Sequence, residues 1–201
     1  MTVANRLTIA RFALTPLFVA LLLRGTARAL WGASGVFALA ALTDGADGWL
    51  ARRTGTVTRV GRELDPLADK ILVASALLTF VFLRIATAVV EEWMVGAILA
   101  REIGVTGLRS FAARRGLAFP SSRLAKWKTT FQMGFVLALL AVMSIRATMD
   151  PDPAFWRDPG DALRGPLEAA LLATTILTLL SGMDYVWQAR AAFVPAPRSA
   201  R

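Results

Sequence analysis

The stretch TDGADGWLARRTGTVTRVGRELDPLADKIL, residues 43–72, holds four aspartates, four arginines and a lysine, with apolar sequence on both sides. Asp44 and Asp47 are three residues apart, and Gly48, Ala51 and Arg52 continue the same helical face. At 100° per residue these five positions fall within about 140° of arc. Further on, Gly61, Asp65 and Asp69 are spaced by four and stack on one stripe of the next helix. Two neighbouring antiparallel helices would therefore turn two pairs of carboxylates towards each other.

Outside this stretch the chain is greasy. Of 201 residues, 56% are hydrophobic, and there is no cysteine or histidine. Mean hydropathy is +0.54, well above that of an ordinary soluble domain. Apolar runs predict six helical spans at about 7–24, 29–51, 66–84, 87–110, 126–146 and 166–187. Most approach the ~20 residues that cross a ~30 Å hydrocarbon layer, and a lipid-facing span must satisfy its backbone internally as a helix. The expected class is thus all-α: one membrane domain over residues 1–190 and a disordered tail over 191–201. Arg6 and Arg11 before an apolar run resemble a signal peptide, but further spans follow at once, so the first is expected to be retained.

Six alternating spans put the N-terminus, residues 52–65, residues 111–125 and the C-terminus on one side. That side carries 17 Lys and Arg against seven carboxylates, the other six against seven, a split of +10 and −1. By the positive-inside rule the basic side, with residues 43–72 on it, is cytoplasmic. The same rule and attraction to anionic lipid account for a pI near 11.4, so nucleic acid is not an expected partner. Membrane lipid is.

Charge at membrane depth is costly unless paired, hydrated or bound to metal. Asp65-Pro66 alone reads as a helix N-cap followed by proline at the first helical position, and Asp44 alone as the partner of an arginine. Four convergent carboxylates need a cation. Oxygen ligands without histidine or cysteine suit a hard divalent ion, Mg2+ or Mn2+, and two ions are expected. Gly48 and Gly61 open space on the acidic face, and Arg52, one turn beyond Gly48, offers a planar fork for phosphate oxygens.

The pattern from Asp44 through Asp47, Gly48, Ala51, Arg52, Gly61 and Asp65 to Asp69 resembles the signature of the CDP-alcohol phosphatidyltransferases without a gap or substitution. The resemblance implies a six-helix membrane fold, usually homodimeric, with a polar cavity open to the cytoplasm. It implies Asp44, Asp47, Asp65 and Asp69 as metal ligands, with Asp69 also the base that deprotonates the acceptor alcohol. Asn5, Thr8, Gly48, Arg52, Thr58 and Gly61 would lie at the CDP-lipid. Arg62-Glu63 departs from the small or apolar residues expected there.

The acceptor is read elsewhere. AREIGVTGLRSFAARRG brings Arg101, Glu102 and Arg109 into the fourth span, and RLAKWKTTFQM brings Lys126 and Lys128 to the start of the fifth. Arg101 lies roughly two turns inside the interface, where an arginine marks a functional site. Arg101, Arg109, Lys126 and Lys128 are the candidates for binding a phosphate on the acceptor. NRLTIARFALTPLF, LDPLADK, LRSFAARRG, KWKTTFQM and SGMDY resemble the branch of the family that joins CDP-diacylglycerol to sn-glycerol 3-phosphate and releases CMP. A relative using inositol phosphate is the nearest rival. An intramembrane prenyltransferase needs more helices, and a cation transporter predicts acids at mid-bilayer on broken helices. The absence of histidine excludes a histidine-nucleophile phosphatidyltransferase.

Overall fold

The computed structural model describes the backbone of residues 3–54, 59–115 and 123–193, and the side chains of residues 10–43, 70–115, 124–125 and 127–190. No strand occurs among the described residues. Six long helices, α1 (Val3–Arg24), α2 (Ala27–Thr54), α3 (Arg59–Phe82), α4 (Glu92–Arg114), α5 (Arg123–Met149) and α7 (Asp161–Phe193), are joined by a short α6 (Pro153–Arg157). Each long helix overlaps one expected span. Two described segments, Trp127–Met149 and Asp161–Arg190, are long and apolar enough to cross a membrane; Ala27–Thr43 and Lys70–Phe82 are shorter apolar stretches.

Packing runs around the bundle in the order α3, α1, α2, α5, α7, α4, with α4 resting mainly on α7 and lightly on α3. The core gathers at the end where α1 turns into α2 and α3 into α4. Phe18, Phe37, Phe80, Leu30, Leu140 and Ile85 are buried there, and Phe18 and Phe37 meet with ring centres 5.5 Å apart. Polar ties add register between helices. Ser34 and Ser144 hydroxyls lie 3.0 Å apart across α2 and α5, and Gln132 Nε2 on α5 donates to Thr178 Oγ1 on α7 at 3.3 Å.

Three details differ from the sequence expectation. Residues 87–91, expected to begin the fourth span, belong to the connection 83–91, in which Arg84 and Ala86 adopt φ of 52° and 48°. Side chains rarely take that left-handed region unless their surroundings hold them. Here the Ala86 N–H donates to the Arg157 carbonyl at 2.6 Å, and Ile85, Ala86, Val89 and Val90 are buried. Asp65-Pro66 lies inside α3, which begins at Arg59, so it is not a helix start. Helix α7 runs to Phe193, and residues 194–201 of the expected tail lie outside the described residues.

Helix α6 was not anticipated within the proline-rich 147–165 loop. Asp152 caps it by accepting from the Ala154 N–H at 2.9 Å, with Pro153 in the first turn, where a missing N–H costs nothing. Arg146 holds it from α5: its Nε donates to the Phe155 carbonyl at 3.0 Å, and its guanidinium lies 4.0 Å from the Phe155 ring centre. Trp156, 2% exposed, seals this end of the core against Gly25, where an added Cβ would stand 2.8 Å from the indole. Gly25 also has φ of 62°, the left-handed value that lets α1 reverse into α2. Trp156→Ala is expected to cost roughly 3–5 kcal/mol, read as a loss of thermal stability in detergent. Unchanged melting would show that α6 does not close the core.

Candidate active site

The sequence signature falls on two consecutive helices in contact. The C-terminal part of α2 carries Asp44, Asp47, Gly48, Ala51 and Arg52; the N-terminal part of α3 carries Gly61, Asp65 and Asp69. Asn5 and Thr8 lie on the first turns of α1. The side chains of all ten of these residues lie outside the described residues, as does Thr58 altogether. Among the described residues no group of three or more acids suited to a metal occurs. The fit to a metal rests on the donor set: four carboxylates and no softer ligand are what a hard divalent cation takes.

Immediately after Asp69, the described structure shows a charged cluster that joins α3, α4, α5 and α7. Glu102 on α4 is its hub. Its Oε1 accepts from Lys128 of α5 and, at 3.0 Å, from Arg101 Nη1; its Oε2 lies 3.7 Å from Lys70 Nζ of α3. Lys70 also donates to Thr106 Oγ1, which in turn donates to the Glu102 carbonyl at 2.6 Å. The side chains of Lys128, Arg101 and Glu102 are 6%, 10% and 13% exposed, so water screens them little. Among the described side chains three cations surround this one carboxylate. Cations gathered in a largely desolvated place favour a further negative charge, whether from a neighbouring carboxylate or from an anionic ligand.

Space for one is present. A cavity of about 630 Å3 opens between α3, α4 and α5, with Lys70, Glu102, Thr106 and Lys128 at its polar part and Leu77 and Ile98 on its apolar wall. The weak contact between α3 and α4 leaves this room. An amphipathic reactant, one end charged and the other hydrocarbon, matches that lining.

Arg101 is shaped from α7. Its Nη2 donates to Ser181 Oγ at 2.7 Å, and Gly182 lets its stem lie flat: a Cβ there would stand 2.9 Å from Arg101 Cγ. The SGMDY segment thus positions a side chain 80 residues away. Arg109 stands two turns further along α4, its guanidinium 5.7 Å from the ring centre of buried Tyr185. Of the four residues expected at an acceptor phosphate, the structure draws Arg101 and Lys128 together on Glu102, sets Arg109 against α7, and leaves the Lys126 side chain outside the described residues.

Sequence reasoning did not single out Lys70, Thr106, Ser181 or the hub role of Glu102. Lys70 was signalled by following Asp69, and Glu102 by being an acid between basic residues on the same helix. Arg11, 1% exposed on α1, is a further buried cation that had read only as a flank of the first span.

The family model for CDP-alcohol phosphatidyltransferase matches residues 1–180. The chain belongs to that family. A CDP-diacylglycerol–glycerol-3-phosphate 3-phosphatidyltransferase of Bacillus subtilis is 40% identical over 151 residues, 68% of this chain and 75% of the relative. The protein of that name in Rickettsia typhi is 41% identical over 140 residues, 70% and 76% of the two chains. A probable phosphatidylglycerophosphate synthase of Mycobacterium tuberculosis H37Rv is 35% identical over 195 residues, 92% and 80% of the two. For this CDP-alcohol phosphatidyltransferase, Gly182→Ala is expected to destabilise by about 1–3 kcal/mol, the usual cost of an overpacked methyl. Gly134→Ala, whose added carbon meets nothing within 4 Å, should leave thermal stability unchanged or raised. Equal melting of the two variants would remove the packing role given to Gly182.

Proposed function

We propose that this protein transfers the phosphatidyl group of CDP-diacylglycerol to sn-glycerol 3-phosphate, forming phosphatidylglycerophosphate and releasing CMP. The observation that carries the reading is the family match together with the names borne by relatives at 35–41% identity. The three cations gathered on Glu102 support an acceptor that brings its own phosphate.

In this reading Asp44, Asp47, Asp65 and Asp69 hold Mg2+ or Mn2+, in all two ions, which when bound would offset charge on the diphosphate and favour departure of CMP. Asn5, Thr8, Gly48, Arg52, Thr58 and Gly61 line the CDP-lipid. Asp69 accepts the proton of the acceptor hydroxyl as that oxygen attacks the β-phosphorus and the bond to CMP breaks. Arg101, Arg109, Lys126 and Lys128 orient the acceptor through its phosphate. Phosphoryl transfer depends chiefly on such positioning and charge neutralisation, and a base works when it is within reach of its proton. Inositol phosphate would satisfy the same charge, and is the nearest alternative acceptor.

The setting is a cell membrane. The six long helices have 22–33 residues, about 33–50 Å at 1.5 Å per residue, enough for six crossings of a ~30 Å core. With the basic ends cytoplasmic, both termini and the aspartates open to the cytoplasm, where a water-soluble phosphorylated alcohol arrives. A homodimer completes the assembly.

Purified protein with Mg2+ or Mn2+, CDP-diacylglycerol and glycerol 3-phosphate should release CMP and form the phosphorylated lipid. Release with inositol phosphate alone would sink the acceptor while sparing the chemistry. Asp69→Asn should lower kcat by about 10²–10⁴, the usual worth of general-base catalysis, while CDP-lipid binding stays close to wild type. A near-normal rate would remove Asp69 from the role of base.

A further inference from the structure

Glu102 offers its two oxygens unequally. Oε1 is committed to Lys128 and Arg101. Oε2 is buried and receives no hydrogen bond among the described residues; its nearest cation, Lys70 Nζ, is 3.7 Å away. A buried carboxylate oxygen without a donor is an expensive arrangement, unless a donor arrives with a ligand. Glu102 lines the cavity that also holds Lys70 and Lys128, so a ligand has access to it.

The two oxygens also face different ends of the site. Oε1 sits with the cations assigned to the acceptor phosphate, and Oε2 sits towards Lys70 on the cavity wall. Resting on the functional reading above, an acceptor whose phosphate lies at Arg101 and Lys128 carries its secondary hydroxyl on the second carbon beyond that phosphate, within reach of Oε2. We propose that Glu102 is a specificity-determining residue: its Oε2 accepts a hydrogen bond from the secondary hydroxyl of the acceptor. The same carboxylate that fixes the phosphate-binding cations thereby checks that the alcohol is a polyol. Lys70, held by Thr106, keeps Oε2 directed to the substrate side.

The test compares two alcohols on the intact protein with Mg2+ and CDP-diacylglycerol. Glycerol 3-phosphate has the middle hydroxyl; 3-hydroxypropyl phosphate lacks only that group and keeps both the primary hydroxyl and the phosphate. Wild-type kcat/KM, read as CMP release, should favour glycerol 3-phosphate by tenfold or more, since an unpaired buried carboxylate oxygen discriminates strongly against the analogue. Glu102→Gln should slow both reactions, because the phosphate-binding cations lose their anchor, but glycerol 3-phosphate more, compressing the preference to within about threefold. A wild-type preference below threefold overturns the proposal without recourse to any variant, and so does a folded Glu102→Gln that keeps the full wild-type preference. Failure of the functional reading looks different: wild type would release CMP with neither alcohol, and the inference would fall with it.

Discussion

The attraction of Lys70, Arg101 and Lys128 to one glutamate is the constraint on which the working half of the bundle depends. These four side chains come from α3, α4 and α5, and Arg101 is braced in turn by Ser181 of α7. None could be buried alone, because an isolated charge taken out of water is prohibitively unstable. Glu102 offsets that cost for Arg101 and Lys128 and holds the partly exposed Lys70 beside them. In the proposed function, the atoms that tie these helices together are also the ones that would meet a phosphorylated acceptor.

Such an arrangement explains why the bundle divides lengthwise. One end is filled with interdigitated aromatic and aliphatic side chains and sealed by α6; the other carries the Glu102 cluster and the mouth of the cavity, whose apolar wall of Leu77 and Ile98 belongs to the same core. The polar half can remain loosely packed between α3 and α4 only because the apolar half fixes the helices elsewhere. Rigid support beneath and room above are what a site that must hold two substrates in line requires.

Much of this was legible in the chain. The six long helices follow from apolar runs near twenty residues, and the aspartate signature follows from helical spacing within thirty positions, where the periodicity of one chain segment suffices. Other features needed three dimensions. Residues 87–90 are as apolar as a helix start, yet they form a buried turn fixed by the Arg157 carbonyl. Arg59–Glu63 is polar, so hydropathy cut α3 short although the backbone continues through it. Helix α6 has five residues, too few for any period to register. Glu102 looked like local compensation among arginines; its meaning lies in Lys70 and Lys128, 32 and 26 positions away, which only packing brings to it.

The apolar half has a consequence beyond support. Phe18, Phe37, Phe80, Ile85 and Trp156 are all nearly inaccessible to solvent, and they belong to one cluster with Leu77 and Ile98, which also line the charged cavity. Charged groups draw water towards them through any polar gap. A continuous layer of hydrocarbon offers water no partners, so the packed cluster is a barrier to hydration as well as a scaffold.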